Sequence, residues 1–231
     1  SNVAVTNTNT ATNVFAGNYT INGSLTNGTG TQVFSFTGNG KTIGGSGSIS
    51  FETMSNSAAA STVLAKNITI ASGFTATING ALNTSTFTVG GAGGFSLISG
   101  ATLITANASG VNGAIQTTTK SFSSGANYEF FGAATGTFTT TPTSNTVNNF
   151  KVNSSGTVLD QDLTVNGSAF FEAGVCDVNT RTLNLNGNVS WSLGSINASG
   201  AGLVNYNQAS DGQSVVNGNY ANLTFSNFNK I

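Results

Sequence analysis

Short segments that alternate apolar and polar residues recur along the second half of the chain at a spacing of 20 residues. Leu163-Thr164-Val165 is followed by Leu183-Asn184-Leu185, then by Leu203-Val204-Asn205 and Leu223-Thr224-Phe225. The first two segments continue with the same Asn-Gly pair. Alternation with a period of two predicts a β-strand, and one short strand at a fixed spacing predicts one coil of a β-solenoid per repeat.

A second, longer period also runs through the chain. Three pairs of similar segments lie 19 or 22 residues apart, each with an Asn directly before the second segment: Ile49–Phe51 with Ile68–Ile70, Tyr128–Phe130 with Phe150–Val152, and Val204–Tyr206 with Leu223–Phe225. The longer period is the distance between these pairs, whose second segments begin at Ile68, Phe150 and Leu223. We therefore predict one solenoid segment built of three degenerate modules, at residues 1–70, 71–152 and 153–231. Because neither end reads as the polar cap that a repeat array needs, we expect this segment to belong to a longer chain.

Two all-β folds are compatible with these short strands. Asn-Gly between apolar runs is a strong hairpin signal and would support an antiparallel sandwich. The 20-residue spacing instead stacks Leu163 over Leu183 and Asn166 over Asn186. Such stacking stabilises a parallel coil, because like apolar side chains line the core and amide side chains form hydrogen-bonded ladders. We predict an all-β, right-handed parallel β-helix with coils of about 20 residues and almost no helix.

Two stretches interrupt the strand pattern. Residues 52–66 contain the Ala58–Ala60 run, and we interpret them as a loop. The glycine cluster Gly90–Gly94 lacks the strand-to-helix context of a dinucleotide-binding loop, so we interpret it as a turn between coils.

Composition narrows the classes of function. The 231 residues include 38% hydrophobic but only 6% charged residues, with a net charge of −1. Six Lys and Arg residues over this length cannot form the basic stripe that nucleic acid requires. No apolar run reaches the roughly 20 residues of a membrane helix. Cys176 is the only cysteine, and we interpret it as a small buried side chain.

Acidic residues offer few candidates for chemistry. Asp160 and Asp162 form the densest group and could share a Ca²⁺ with backbone carbonyl groups. The simpler interpretation is a solvated turn, with Asp177 pairing locally with Arg181. Without His, histidine-based triads and His-ligated zinc are excluded, and a single Cys excludes a Cys-rich zinc site. We predict no catalytic residue, no cofactor and no metal site beyond this calcium candidate.

Threonine-rich faces of a solenoid are candidates for binding ice or sugar. Ice-binding solenoids carry Thr-x-Thr at the same place in each coil, and in this sequence neither Thr6/Thr8 nor Thr75/Thr77 recurs at the coil period. Tyr19, Tyr206, Tyr220 and Trp191 could stack on sugars. Trp191 alternates with apolar residues and is predicted to lie in the core.

Several segments resemble the repeats of very large surface proteins of Bacteroidota that are exported by the type IX secretion system: Ala126–Phe130, Thr146–Val152, Asp162–Gly167, Arg181–Gly187 and Tyr220–Phe225. The resemblance covers most of the chain, although residues 1–17 and 52–66 match poorly. It implies an extracellular, non-enzymatic adhesin or filament with a β-helical stalk, and it supplies no catalytic residues. The C-terminal sorting domain of that family has no counterpart in this sequence.

These observations predict a non-enzymatic structural or adhesive segment of a secreted bacterial cell-surface protein or filament. Its expected partners are neighbouring modules of the same chain, together with surface glycans or outer-membrane secretion and attachment proteins. Nucleic acid binding and membrane insertion are not expected. Two alternatives stay open: a carbohydrate-active β-helix enzyme with Asp160, Asp162 and Asp177 as its acids, and a glycan-binding module.

Overall fold

The computed structural model describes residues 5–7, 11–27, 31–132, 136–138, 145–227 and 229–231. These residues form two compact units. The first comprises the described residues up to Ile104 together with Gly113–Phe122, and the second comprises those of Thr105–Asn112 and Ser123–Ile231. Both units consist of parallel strands stacked in coils of about 21 residues, which confirms the predicted parallel β-solenoid. The division into three modules stays a prediction.

The first unit contains fifteen of the strands that the described residues form. Their bounds are β1 Val5–Asn7, β2 Ala11–Phe15, β3 Tyr19–Thr20, β4 Leu25–Asn27, β5 Gln32–Phe36, β6 Lys41–Gly44, β7 Ser50–Phe51, β8 Thr53–Asn56, β9 Ser61–Leu64, β10 Ile68–Ile70, β11 Thr75–Ile78, β12 Ala81–Ser85, β13 Val89–Leu97, β14 Thr102–Thr105 and β15 Ile115–Phe122.

Successive strands of the first unit are assigned in turn to three sheet faces. One face holds the pair β1-β4 and the run β7-β10-β13, and the next holds β2-β5-β8-β11-β13-β15. The third holds β3-β6-β9-β12-β14. Strand β13 belongs to two faces, with Val89 paired to Ile68 on one and Phe95 paired to Ala76 on the other.

The second unit repeats this arrangement with three further faces: β16-β18-β21-β24, β17-β20-β23-β26-β28 and β19-β22-β25-β27. The bounds of its strands are β16 Asn127–Gly132, β17 Thr146–Val147, β18 Phe150–Ser154, β19 Thr157–Val158, β20 Leu163–Val165, β21 Ala169–Ala173, β22 Val175–Asn179, β23 Thr182–Leu185, β24 Val189–Trp191, β25 Ser195–Ala198, β26 Leu203–Tyr206, β27 Gly218–Asn219 and β28 Asn222–Phe225.

The register confirms the repeat that the sequence predicts, with one correction. Leu163 pairs with Leu183, and Val204 pairs with Leu223. Leu183, however, pairs with Val204 rather than with Leu203, because this coil is one residue longer than its neighbour. Val204 is fully buried, whereas Leu203 faces outward and is half-exposed.

The core of each unit consists of the side chains that point inward from the stacked strands and lie in rows above one another. Along the β20-β23-β26 face, the inward side chains are fully buried: Leu163, Val165, Leu183, Leu185, Val204 and Tyr206. Each large apolar side chain taken out of water contributes roughly 1.5–3 kcal/mol, which offsets the entropy of ordering the coil. Stacked neighbours provide most of this burial, so a coil depends on the coils next to it.

Two sequence interpretations were wrong. Residues 52–66 form strands β8 and β9 rather than a loop, because their inward side chains Met54 and Leu64 are buried in register with the neighbouring coils. Gly90–Gly94 is not a turn between coils but part of strand β13. Gly91 adopts a positive φ of 104° where the strand bends between two faces of one coil, a conformation that favours glycine.

Asn-Gly pairs form corners of the coils, and the antiparallel sandwich is thereby excluded. Every strand pair resolved among the described residues is parallel. Asn186-Gly187 stacks on Asn166-Gly167, so closely that a Cβ added to Gly187 would overlap the carbonyl oxygen of Gly167.

Helix is nearly absent from the described part of the chain, as predicted. The helix found there is α1, Gly110–Ala114, which directly precedes β15. It is too short to cross a membrane, and no other described segment forms a helix that could do so.

Candidate functional site

Two columns of hydroxyl side chains cover the outward side of the β5-β8-β11-β13-β15 face. On β5, β8, β11 and β13 they alternate with buried inward residues, so they point to solvent. On β15 the exposed Lys120 lies between Thr119 and Ser121. We call this surface the hydroxyl face. Its columns are Thr53, Thr75 and Thr119, and beside them Ser35, Ser55, Thr77, Ser96 and Ser121.

The register agrees with the prediction that Thr-x-Thr does not recur from coil to coil at Thr75/Thr77, but it shows that hydroxyl residues of either kind do recur at these positions. Thr77 pairs with Ser55 on one side and with Ser96 on the other. The recurrence is hidden in the sequence because Ser replaces Thr and because the coils differ in length. Thr6 likewise pairs with Thr26, whereas Thr8 lies outside the described residues.

The hydroxyl groups of this face form no side-chain hydrogen bond within the described part of the chain. A gap in the first column lies at Gly94, where an added Cβ would come 2.7 Å from Thr119 Oγ1 and 3.0 Å from Thr75 Oγ1. A hydroxyl group is one donor and two acceptors, so the face offers both kinds of hydrogen-bonding group to a ligand. No described residue of these columns is charged.

Amide side chains form two columns along the β20-β23-β26-β28 face of the second unit. Asn186 Nδ2 donates to Asn166 Oδ1 at 2.9 Å, Asn207 Nδ2 to Asn186 Oδ1 at 3.3 Å, and Asn227 Nδ2 to Asn207 Oδ1 at 2.7 Å. We call this column, together with the next one, the amide ladder. The second column runs from Asn205 through Asn184 to Thr164, with bonds of 2.7 and 3.2 Å.

An open groove of about 390 Å³ lies beside the amide ladder. It is lined by Asn166, Gly167, Ser168, Asn186, Gly187, Asn188, Gln208, Ala209 and Ser210. Gln208 Nε2 donates to Asn188 Oδ1 at 3.1 Å and to Ser210 Oγ at 2.8 Å. The lining therefore bonds largely to itself, and it carries no charged side chain.

The acidic candidates connect neighbouring coils. Asp160 Oδ1 accepts from Thr137 Oγ1 at 3.0 Å and from the backbone N–H of Phe138 at 2.8 Å. Asp162 Oδ1 accepts from the backbone N–H of Thr182 at 2.8 Å. Asp160 therefore bonds to the preceding coil and Asp162 to the following one.

The predicted pair of Asp177 and Arg181 does not form. Asp177 Oδ1 instead accepts from the backbone N–H of Asn179 at 2.8 Å and from Asn197 Nδ2 at 3.3 Å. Among the described residues, no group of three or more His, Cys, Asp or Glu side chains is placed to hold a metal ion. A calcium ion at Asp160 and Asp162 would therefore need backbone carbonyl groups or water as its other ligands.

A charged column that the sequence did not single out crosses the β16-β18-β21 face. Lys151 Nζ lies 3.5 Å from Glu129 Oε1 and 3.0 Å from Glu172 Oε2. Burial acts to lower the pKa of Lys151, but the hydrogen bond to Glu172 and the charges of both glutamates outweigh it and raise the pKa above its usual value. Glu129 pairs with Lys151 in the register, whereas Glu172 lies where the register between β18 and β21 shifts. The two ion pairs of Lys151 therefore link three coils.

Glu52 is a buried carboxylate that sequence reasoning also missed. It accepts a hydrogen bond from the backbone N–H of Gln32 in the preceding coil and is only 3% exposed. Gln32 Oε1 accepts in turn from Asn13 Nδ2 at 3.0 Å. The sequence feature that could have indicated its burial is its position directly after the apolar segment Ile49–Phe51. Glu52 connects coils in the first unit.

The predicted position of Trp191 was wrong. It pairs with the fully buried Phe171 and takes the same inward position, yet it is 42% exposed. Strand β24 is an edge strand of its sheet, so no further strand covers the indole ring. Leu193 is 88% exposed.

The tyrosines are less accessible than a sugar platform requires. Tyr206 is fully buried, and burial raises its pKa above the usual value. Its hydroxyl accepts from the backbone N–H of Val216 at 3.0 Å and lies 2.9 Å from the Tyr220 hydroxyl. Tyr220 and Tyr19 are half-buried.

Cys176 is a fully buried thiol, as predicted. Burial, with a smaller contribution from the charge of Asp177, raises its pKa to about 12. The thiol is therefore neutral at physiological pH and packs as a small apolar side chain.

The fold thus places the chain in the class of parallel β-solenoids. Its most regular surface features are uncharged columns of outward side chains rather than a cleft. Comparisons with protein-family models, with curated proteins and with solved structures found no match.

Proposed function

We propose that this chain is a structural and adhesive segment of a secreted bacterial cell-surface protein, and that the hydroxyl face makes its adhesive contacts. The observation that carries the proposal is the two columns of half-buried or exposed Ser and Thr residues whose hydroxyls bond to no other side chain. The resemblance of the repeats to Bacteroidota surface proteins supports the same role. Neighbouring modules of the same chain are its structural partners.

The proposed mechanism is the sum of many weak contacts. A flat sheet cannot enclose a small ligand, and tight small-molecule sites are usually concave. It can instead meet an extended surface at several hydroxyl groups at once, where multiple weak contacts strengthen one another. Ser and Thr are short side chains whose ordering costs less entropy than that of Lys or Arg, which favours such contacts.

A glycan-binding module is the second candidate, and the hydroxyl face favours it because sugars also present repeated hydroxyl groups. The test is binding of the fluorescently labelled chain to an array of neutral and acidic polysaccharides. We expect binding that a Thr75→Arg/Thr77→Arg variant loses, because the two bulky charged side chains cover both columns. A Ser190→Arg variant is the matched control, since Ser190 is exposed on β24 in the other unit.

Surface location is tested separately. Antibodies raised against this chain should label intact cells of the source bacterium, and protease added to those cells should remove the signal. Labelling that requires permeabilised cells would contradict the surface role. Turnover of an acidic polysaccharide that Asp162→Ala abolishes would instead support the enzymatic alternative.

A further inference from the structure

Asn-Gly pairs recur along the sequence, and the structure places them in different surroundings. In such a pair the backbone nitrogen of Gly can attack the side-chain amide carbon of Asn, because Gly has no side chain to hinder the approach. A C–N bond forms, the attacking nitrogen loses its proton to solvent base, and the side-chain nitrogen leaves as ammonia. Water then opens the cyclic imide to aspartate or isoaspartate. The reaction therefore requires an Asn side chain that is free to turn towards the next backbone nitrogen.

Corner pairs that stack on a neighbouring coil are held at both reacting groups. Asn79-Gly80 bonds twice to Asn56: Asn79 Nδ2 donates to its backbone carbonyl at 2.8 Å, and the Gly80 N–H donates to its Oδ1 at 3.0 Å. Asn166-Gly167 is held in the same way, by Asn186 Nδ2 on its side-chain oxygen at 2.9 Å and by the carbonyl of Asn148 on its Gly N–H at 2.7 Å. Both pairs must break hydrogen bonds before they can react.

Other described pairs are restrained by at least one contact. Asn22 Oδ1 accepts from the backbone N–H of Ser46 at 3.3 Å. Asn112-Gly113 lies within helix α1. In Asn217-Gly218, the carbonyl of Asn217 accepts from the N–H of Ile196 at 3.1 Å, and a Cβ added to Gly218 would overlap the backbone of Ile196.

Asn39-Gly40 lacks these restraints. The pair lies in a turn between β5 and β6, and both residues are exposed. No described group bonds to the Asn39 side chain or to the Gly40 N–H. Gly40 adopts a positive φ of 63°, and a Cβ added there would meet no atom within 4 Å. Space and hydrogen bonding therefore both leave this pair free to react.

We propose that Asn39 is a site of spontaneous modification, the first of the described Asn-Gly pairs at which the folded chain deamidates. The product adds one negative charge to a chain whose net charge is −1, next to Lys41 in the sequence. Isoaspartate also lengthens the backbone of the turn by one carbon. The reaction consumes only water and does not depend on the surface role proposed above.

The test follows the reaction at every Asn-Gly peptide of the full chain by mass spectrometry, after incubation in mildly alkaline water labelled with heavy oxygen. A parallel incubation in unfolding urea gives the rate of each pair without its folded surroundings. We expect Asn39 to react equally fast in both samples. Asn79 and Asn166 should react about tenfold more slowly in the folded chain, because two hydrogen bonds must open first. A folded Asn39 that reacts no faster than either would overturn the proposal.

Asn39→Ser is the matched control variant, and it should keep the circular dichroism spectrum of the wild type because Asn39 is exposed and unbonded. On anion-exchange chromatography, the incubated wild type should acquire a form with one added negative charge. The variant should acquire such a form much more slowly. An acidic form that appears equally fast in the variant would also overturn the proposal, since another residue would then be the first to react.

Discussion

The hydroxyl face of the first unit and the amide ladder of the second unit lie on the outward side of stacked parallel strands, but their side chains bond differently. Asn184 donates to Thr164 and accepts from Asn205, so the ladder bonds to itself. Thr77 and its neighbours on the hydroxyl face form no such bonds.

The difference follows from the length and the chemistry of the side chains. Neighbouring strands lie about 4.8 Å apart, and an amide can donate along the stacking direction while it accepts from the next coil. A Ser or Thr hydroxyl is shorter and has a single proton, so it leaves its hydrogen-bonding groups available to solvent. Amides therefore hold neighbouring coils together, whereas hydroxyls are suited to contacts outside the chain.

The largest effect is expected at two matched glycines. A Cβ at Gly187 meets the backbone of Gly167 and Asn166, which cannot move without shifting the coil. At Gly94 it meets the Oγ1 atoms of Thr75 and Thr119, which can rotate away. We expect Gly187→Ala to lower the free energy of unfolding by about 3 kcal/mol.

Gly94→Ala should cost less than about 1 kcal/mol, because side-chain rotation relieves the contact. Urea denaturation of both variants measures the two values. Equal losses at the two sites would show that the corner of the ladder is no tighter than the hydroxyl face.

An intermediate effect is expected from removal of the side-chain groups themselves. Asn186→Ala loses one bond to Asn166 and one to Asn207. At a net contribution of roughly 0.5–1.5 kcal/mol for each bond, the loss should be about 1–3 kcal/mol. Thr77→Ala removes no protein hydrogen bond and should change stability by less than about 0.5 kcal/mol. A Thr77→Ala loss as large as that of Asn186→Ala in equilibrium unfolding would refute the distinction.

The smallest effect concerns the charged column of Lys151. Because its folded-state pKa is raised above 10.5, its contribution to stability is fully present below pH 10.5 and is lost as the pH rises through the folded-state pKa. Partly exposed ion pairs contribute less than about 1 kcal/mol. Unfolding of wild type and Lys151→Met should differ slightly at pH 8 and converge in strong alkali, with the amide ladder unaffected. A difference that persists there would show that the stem of Lys151, not its charge, stabilises the coils.

Sequence reasoning predicted the architecture because like residues stack at a nearly constant spacing, as Leu163 and Leu183 do. It paired Leu183 with Leu203 instead of Val204, because one coil is a residue longer than its neighbour and the register shifts by one. Trp191 was predicted on the correct side of its strand, but alternation carries no information about whether another strand covers it.

The candidate surfaces were predicted only in part. The stacking of Asn166 and Asn186 followed from their shared spacing, and the structure confirms it. The hydroxyl columns escaped notice because Thr75 and Thr77 have Ser and Gly as register neighbours in other coils. Identical residues at a constant spacing can be recognised as a ladder from the sequence alone. Chemically equivalent residues at uneven spacing can be recognised only when the register of the strands is known.

The most direct test of the ladder is the exchange of its side-chain amide protons, followed by nuclear magnetic resonance. One Nδ2 proton each of Asn186, Asn205 and Asn207 bonds along the stack and should exchange with solvent far more slowly than the same proton of the exposed Asn217. Exchange of all four at the rate of a free amide would contradict the ladder and, with it, the proposed division of roles between the two faces.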